Sequence, residues 1–172
     1  TGIHVVNPLA ETEAMLRSGL MDTLLRRVEY NFAHMTRNVR LFEVGVAFER
    51  IGDGALPGER TLAAAVLTGD RFPAHFTDAK PPQIDRWDAK WIAERIGAAA
   101  FGEGRLILRP DDSGDGWDAV IEGRVIGFVR ELVADAPVWA SPVYGVEIDI
   151  TGAFGAEPRP VTYRPLPATP AA

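Results

Sequence analysis

Residues 7–48, NPLAETEAMLRSGLMDTLLRRVEYNFAHMTRNVRLFEVGVAF, decide the fold of this chain. Between Leu20 and Met35 the apolar side chains recur every three or four residues, the spacing that makes one stripe along an α-helix. The stripe consists of Leu20, Met21, Leu24, Leu25, Val28, Phe32 and Met35. Because such a stripe must be buried, the pattern predicts an amphipathic helix that packs against the rest of the domain.

A strand follows this helix, because the apolar spacing changes to two after Arg40. The alternation assigns one face to the core: Phe42, Val44, Val46 and Phe48. The opposite face carries Leu41, Glu43, Gly45 and Ala47. Gly45 and Ala47 leave the backbone nearly bare beside a carboxylate, which indicates that something packs closely against the sheet there.

These residues resemble a known family. The order NPL, then LRS before a Leu-rich helix, an Asn near the helix end, and RLFEVG leading into a strand is similar to the core domain of the beta subunit of bacterial phenylalanyl-tRNA synthetase. The resemblance is strong over residues 7–48, because several residue types keep one order, and it is looser after residue 100. It implies a class II aminoacyl-tRNA synthetase-like fold.

Length and composition set the outer bounds. At 172 residues and 47% hydrophobic content, the chain can bury one substantial core. No stretch approaches the roughly 18 apolar residues of a membrane-spanning helix. The lack of cysteine excludes disulfides and thiolate metal sites and fits a cytosolic origin. A net charge of −6 does not favour binding to nucleic acid. The sequence starts at Thr1 without a leader, which predicts that it is a piece of a longer chain.

The chain after Phe48 predicts a hairpin with a long Gly/Pro-rich loop over residues 49–60, followed by an apolar strand over residues 62–67. It resembles the motif 2 hairpin of class II synthetases, but Val46 stands where the family usually has an arginine. The loop glycines lack the GK(S/T) ending of a phosphate loop, so a flexible tip is the better interpretation. Arg17 is either a phosphate-binding arginine or, more commonly, half of a structural ion pair.

A second helix is predicted from Arg86 to about Ala100, with Asp85 as N-cap and Asp88 completing a capping box. Its apolar side carries Trp87, Trp91, Ile92 and Ile96. The aromatic residues are either a base-stacking surface or core packing, and helical spacing favours the core. His75, in the preceding loop, has no Ser, Cys or second His beside it in the sequence and is interpreted as an ordinary loop histidine.

The C-terminal half predicts short strands at 106–109, 117–122, 125–129 and 143–150. The stretch DDSGDGWD at 111–118 replaces the His-Pro-Gly-Arg segment of the family; its alternating carboxylates suggest either a calcium loop or, better, a solvated turn. Residues 158–172 are Pro-rich and predict an extended edge strand and then a linker, leaving residues 1–157 as the core domain. The tail resembles the family segment that precedes the anticodon-binding domain, so the resemblance implies that the linker leads toward such a domain.

Together these patterns predict an α+β domain, a mainly antiparallel sheet with a few helices on one face. By the resemblance it is a degenerate class II catalytic fold, because nothing after Gly97 matches motif 3. The parent would be a cytoplasmic phenylalanine-tRNA ligase whose alpha subunit performs catalysis with ATP and magnesium and whose tRNA contacts lie mostly in other domains. We expect no catalytic residue, cofactor, metal or membrane contact in this stretch, and the alpha subunit as its partner.

Seven residues are candidates for a subunit interface or a degenerate site: Arg17, Leu20, Leu24, Val28, Glu43, Gly45 and Arg50. Two other functions remain open at this stage. One is a catalytically competent class II paralogue that activates an amino acid through Arg17, Glu43 and Arg50. The other is a small-molecule sensor that uses an open sheet face around Gly45 and Ala47.

Overall fold

The computed structural model describes residues 3–4, 15–52, 56–77 and 79–153. Its elements are, in chain order, β1 (Ile3–His4), β2 (Met15–Leu16), α1 (Met21–Ala33), β3 (Val39–Glu49), β4 (Gly58–Thr68), α2 (Arg86–Phe101), β5 (Ile107–Pro110), β6 (Trp117–Ile121), β7 (Arg124–Leu132) and β8 (Val143–Asp149). The predicted turn at Asn7-Pro8 and the predicted edge strand and linker at 158–172 lie outside the described residues. None of the helices in the described ranges is long and apolar enough to cross a membrane.

The main sheet has six strands in the order β3-β4-β8-β7-β6-β5, and every neighbouring pair is antiparallel. The β3–β4 hairpin pairs along its whole length, from Val39 opposite Thr68 to Glu49 opposite Gly58. β1 and β2 form a separate two-stranded ladder. The α+β prediction with a mainly antiparallel sheet is therefore confirmed.

Local sequence signals placed several elements correctly. Asp85 accepts hydrogen bonds from the backbone of Trp87 and Asp88, and the Asp88 carboxylate accepts from the backbone of Asp85, so the capping box of α2 is confirmed. Glu122 and Gly123 both have positive φ, at 51° and 80°, and join β6 to β7. This is the backbone geometry of a two-residue hairpin turn, as predicted for that position.

The helices lie on opposite faces of the sheet, so the prediction that they share one face is wrong. Side chains of β4 alternate between two cores, because neighbouring residues of a strand point to opposite faces. The α1 side holds Leu20, Leu24, Val28, Phe32, Leu62, Ala64 and Val66. The α2 side holds Ala63, Ala65, Leu67, Ala89, Ala93, Val146 and Ile148.

The core face of β3 is also the reverse of the prediction. Phe42 is 80% exposed and Val44 is 54% exposed, whereas Val39 and Ala47, on the α1 face, are buried. The cause is the position of β3 at the edge of the sheet: α1 covers its inner face, but α2 packs mainly on β8 and β7 and leaves the other face uncovered. Alternation identified the two faces of this strand but not the one that is covered.

The α2 surface that packs on the sheet is formed by small residues together with Ile92 and Ile96. The predicted apolar side is therefore confirmed for the two isoleucines and wrong for the two tryptophans. Ala89, Ala93 and Gly97 are buried, while Trp87 and Trp91 are 60% and 58% exposed. A Cβ at Gly97 would lie 2.5 Å from Leu106 Cδ2, so the helix approaches its neighbours too closely for a larger residue. The two tryptophans are therefore on the outer side of the helix, with Trp87 resting against Trp117 at a ring distance of 5.2 Å.

Candidate functional site

Arg17 is bound to β3 by three interactions. Its Nη1 lies 2.5 Å from Glu43 Oε1, and its Nε donates a hydrogen bond of 2.8 Å to the carbonyl of Val46. The backbone N–H of Phe48 donates to the Arg17 carbonyl at 2.8 Å. Arg17 thus holds the segment before α1 against the free edge of the sheet, and it forms the structural ion pair that was the commoner of its two interpretations.

Gly45 provides the space for this guanidinium. A Cβ at Gly45 would collide with Arg17 Nη2 and lie 3.0 Å from Glu43 Oε1. Ala47, two residues further along the same face, is fully buried under the α1 side core. The close packing predicted at these bare positions is therefore present, and it is intramolecular. The sheet face around Gly45 and Ala47 is not open, which removes the basis for the sensor interpretation.

The N-terminus of α1 is capped by a carboxylate from β8. Glu147 Oε2 accepts hydrogen bonds from the backbone nitrogens of Leu20 at 2.7 Å and Met21 at 3.0 Å. Leu20, at the N-cap position, has no side chain that could bind these groups. A Cβ at Gly19 would lie 3.1 Å from Glu147 Oε1, so the glycine leaves room for the carboxylate. The negative charge of this carboxylate also interacts favourably with the positive end of the helix dipole.

The three apolar candidate residues of α1 face the core of their own chain. Leu20 and Val28 are fully buried and Leu24 is 5% exposed. Their side chains position the helix on the sheet, so a partner could touch α1 only through the outer residues. Arg50, the remaining candidate, follows β3 and is exposed. Of the candidates, the structure brings Arg17, Glu43 and Gly45 together in one cluster.

A cleft of about 600 Å³ at one end of the sheet contains a second group of charged residues. Arg60 Nε lies 3.3 Å from Glu49 Oε2, and its Nη1 lies 3.7 Å from Asp149 Oδ2. The Nε contact is a charge contact, since this buried atom makes no hydrogen bond to a described residue. Arg60 Nη2 also donates to the Ser18 carbonyl. One guanidinium thus bridges two carboxylates and a backbone carbonyl, an arrangement that holds β3, β4 and β8 together.

Two polar loops considered in the sequence are organised by local hydrogen bonds. Asp111 Oδ1 accepts from the Ser113 hydroxyl at 2.6 Å and from the backbone nitrogens of Ser113 and Gly114. The Ser113 hydroxyl, followed by the backbone groups of Gly116, Gly114 and Ser113, lowers the pKa of Asp111 below its ordinary value. His75 Nδ1 lies 3.0 Å from Thr77 Oγ1 in an exposed loop. Within the described residues, no three His, Cys, Asp or Glu side chains meet as a metal site requires.

A larger groove lies on the α2 face of the sheet, between β3 and α2. We call it the α2-side groove; it measures about 660 Å³. Its floor is formed by Ala63, Ala65 and Leu67, its helix wall by Ile92, Ile96 and Ala99, and its strand wall by Phe42 and Val44. Arg40 and Arg95 also line it. Sequence reasoning missed this groove, because Phe42 and Val44 were assigned to the core.

The fold and these contacts define an antiparallel α+β domain whose polar clusters serve its own architecture. Residues 1–150 match the family described as the phenylalanyl tRNA synthetase beta chain CLM domain. The chain belongs to this family.

Two relatives show the extent of the similarity. The phenylalanine--tRNA ligase beta subunit of Staphylococcus aureus (strain USA300) is 27% identical over 176 residues, which cover 98% of this chain and 22% of the relative. The beta subunit of strain MRSA252 is 28% identical over 175 residues, with the same coverage of both chains. The chain therefore spans about a fifth of the length of these relatives.

Proposed function

We propose that this domain is the non-catalytic structural core of the beta subunit of a phenylalanine-tRNA ligase, with a degenerate class II synthetase-like fold. The alpha subunit of that cytoplasmic enzyme would attach phenylalanine to its tRNA with ATP and magnesium. The beta subunit would support the assembly and contact tRNA mostly through other segments. Membership in the beta chain family supports this proposal, as do relatives named as beta subunits.

One observation carries the non-catalytic part of the proposal: the charged residues nearest to a degenerate site are used to hold the fold. Arg17 binds Glu43 and the Val46 carbonyl. Glu147 binds the start of α1. An arginine that binds a phosphate needs a guanidinium free to contact it. The guanidinium of Arg17 is already engaged by two groups of its own chain, the Glu43 carboxylate and the Val46 carbonyl.

The alpha subunit is the proposed partner. Because Leu20, Leu24 and Val28 are buried, a contact at α1 would use exposed residues on its outer side, such as Arg26, Arg27 and Tyr30. In this proposal Arg17, Glu43 and Gly45 act as positioning residues that fix the segment before α1. They would affect the partner only through the placement of that helix.

Titration calorimetry of the 172-residue chain tests this function. We expect no saturable heat with ATP, magnesium and phenylalanine, and measurable heat when the separately purified alpha subunit of the same organism is added. The alpha subunit titrated with ATP and phenylalanine serves as the positive control. Arg27→Glu on the outer side of α1 should weaken the heat with the alpha subunit, whereas Glu103→Gln in an exposed loop should leave it unchanged.

The second function, a catalytically competent class II paralogue, predicts the opposite result, namely that the chain alone binds ATP. Saturable ATP binding by the chain alone that is lost in Arg17→Ala and Glu43→Gln would overturn the scaffold proposal. The absence of heat in both titrations would overturn the assembly role, because the domain would then bind neither the nucleotide nor the partner.

A further inference from the structure

β3 is an edge strand, so one side of its backbone has no neighbouring strand of the main sheet among the described residues. In an antiparallel pair, successive residues direct their N–H and C=O groups alternately toward the neighbouring strand and away from it. The N–H of Phe48 and the C=O of Val46 both bind Arg17, which lies on the side away from β4. The backbone groups of the even-numbered residues of β3 therefore point outward.

The outward groups before Val46 belong to Arg40, Phe42 and Val44. Their N–H and C=O groups make no backbone hydrogen bond to any residue that the structure describes. We call residues 40–44 the open edge. Its side chains on the α2 face are apolar, since Phe42 is 80% exposed and Val44 is 54% exposed. A row of unpaired backbone groups beside exposed apolar side chains is a template for another strand.

The open edge lacks the features that usually keep edge strands from pairing, which are proline, a β-bulge or a charge beside the edge. β3 contains no proline, and its register with β4 has no shift. Its two charged residues here are engaged within the chain. Arg40 Nη2 donates to the carbonyls of Asp70 and Arg71, which follow β4. Glu43 binds Arg17 on the α1 face.

We propose that the open edge pairs antiparallel with the open edge of a second copy of this chain, with the two Phe42 residues opposite each other. A second copy fits because the outward groups are arranged symmetrically, with Arg40 and Val44 two residues to either side of Phe42. Phe42 would exchange two hydrogen bonds with its counterpart, and Arg40 of each copy would pair with Val44 of the other. Roughly six backbone hydrogen bonds would then join the two sheets into one.

Other registers satisfy these groups less well. A pair centred on Val44 would set Phe42 opposite Val46, whose carbonyl is already bound within its own chain. A pair centred on Glu43 would set two like charges directly opposite each other, which is destabilising. A pair centred on Leu41 would leave Val44 opposite a residue that precedes β3. The pairing about Phe42 is therefore the register that uses the whole open edge.

The side chains and helices agree with this register. Opposite residues of a strand pair have Cβ atoms about 5 Å apart, so each Phe42 ring would cover part of the other. Val44 would contact the aliphatic stem of Arg40 from the second copy. α1 makes its largest contact with β4, which would lie three strand spacings, about 14 Å, from β4 of the second copy. A helix is about 10 Å across, so the two α1 helices would not collide.

Sedimentation equilibrium of the native 172-residue chain tests for this dimer. We expect the average mass to rise from one chain toward two as the concentration increases. Phe42→Lys should stay monomeric, because the two introduced charges would face each other, and Phe42→Glu should do the same. A 1:1 mixture of these two variants should regain the dimer, since opposite charges then meet across the interface.

A cross-linking experiment tests the register. The native chain has no cysteine, so one substitution introduces a single thiol per chain. Phe42→Cys would place two thiols on residues whose Cα atoms are about 5.5 Å apart, so mild oxidation should give a covalent dimer. Val44→Cys is the matched control, because its two copies would be about 14 Å apart along the strands, too far for a disulfide. Circular dichroism establishes that each variant is folded.

A native chain that stays monomeric at its highest soluble concentration would overturn the proposal. A dimer that persists in Phe42→Lys, or a mixture of the two charged variants that stays monomeric, would show that another surface joins the copies. Cross-linking of Val44→Cys as rapidly as Phe42→Cys would refute the register. The proposal does not rest on the scaffold role, so titration with the alpha subunit can succeed or fail whatever these experiments show.

Discussion

Glu147 Oε2 lies 2.7 Å from the backbone nitrogen of Leu20, a residue 127 positions earlier in the chain. The carboxylate replaces the Ser, Thr, Asp or Asn that commonly caps a helix from within its own sequence. Because Glu147 belongs to β8 in the middle of the sheet, this contact also fixes the start of α1 relative to the strands beneath it. The cap is therefore a tertiary interaction as well as a helix terminus.

Removal of this cap should destabilise the domain. We expect Glu147→Ala to lower the free energy of unfolding by about 1–2 kcal/mol, since two backbone N–H groups lose their acceptor. Glu147→Gln should cost about half as much, because the amide oxygen still accepts but the charge at the helix terminus is lost. Urea unfolding measures both. The exposed loop variant Glu103→Gln is the control, and equal costs for Glu147→Ala and the control would contradict this account.

Gly45→Ala should act through Arg17. The new Cβ would displace the guanidinium, which breaks its contact with Glu43, and we expect a loss of about 1–2 kcal/mol in stability. In an Arg17→Ala background the same substitution should be neutral or stabilising by up to about 1 kcal/mol, because alanine is the better residue in a strand interior. Denaturant unfolding of the four proteins in the cycle gives the coupling. The same cost in both backgrounds would show that Gly45 is needed for another reason.

Asp111 should contribute a pH-dependent part of the stability. The Ser113 hydroxyl and the backbone groups of Gly116, Gly114 and Ser113 hold the pKa of Asp111 below the ordinary 3.8, so the folded state binds this proton less tightly than the unfolded state. The contribution is therefore present above pH 3.8 and disappears as the pH falls through the lower pKa of the folded protein. The stability difference between the native chain and Asp111→Asn should be constant near neutral pH and shrink in acid. A difference that stays the same from neutral pH into acid would contradict this account.

The two sides of α2 should respond oppositely to substitution. Ala93 is fully buried, and Ala93→Leu should cost about 1–3 kcal/mol because the added atoms have no space between helix and sheet. Trp91→Ala removes a much larger side chain but should cost less than about 1 kcal/mol, since more than half of that residue is in contact with solvent. Thermal unfolding compares the two variants. A larger cost for Trp91→Ala would show that the aromatic side of the helix is packed after all.

Local patterns in the sequence were sufficient for the elements themselves. The capping box at Asp85 and Asp88 and the Glu122-Gly123 turn involve residues close in sequence, and both were predicted correctly. The faces of β3 could not be assigned in the same way. Phe42 and Val46 alternate with Leu41 and Glu43, and both sets contain apolar residues, so the choice depended on where α1 and α2 lie.

The site was less predictable, because its contacts join distant residues. The sequence singled out Arg17, Glu43 and Gly45 separately and indicated close packing at the glycine. It gave no sign that Glu147 would cap α1, since Glu147 read only as a polar residue in an alternating strand. The sequence likewise did not show that Arg95 makes no ion pair with the described residues, because the partners of an arginine are recognised only when its surroundings are known.

The position of β4 has a consequence for the way the domain melts. Leu62, Ala64 and Val66 belong to the core under α1, while Ala63, Ala65 and Leu67 belong to the core under α2. One strand therefore forms part of the interior of both layers, with hydrogen-bonded neighbours on each side. Neither layer can come apart without loosening the other, so heating should produce a single cooperative transition in which near-UV and far-UV signals are lost together.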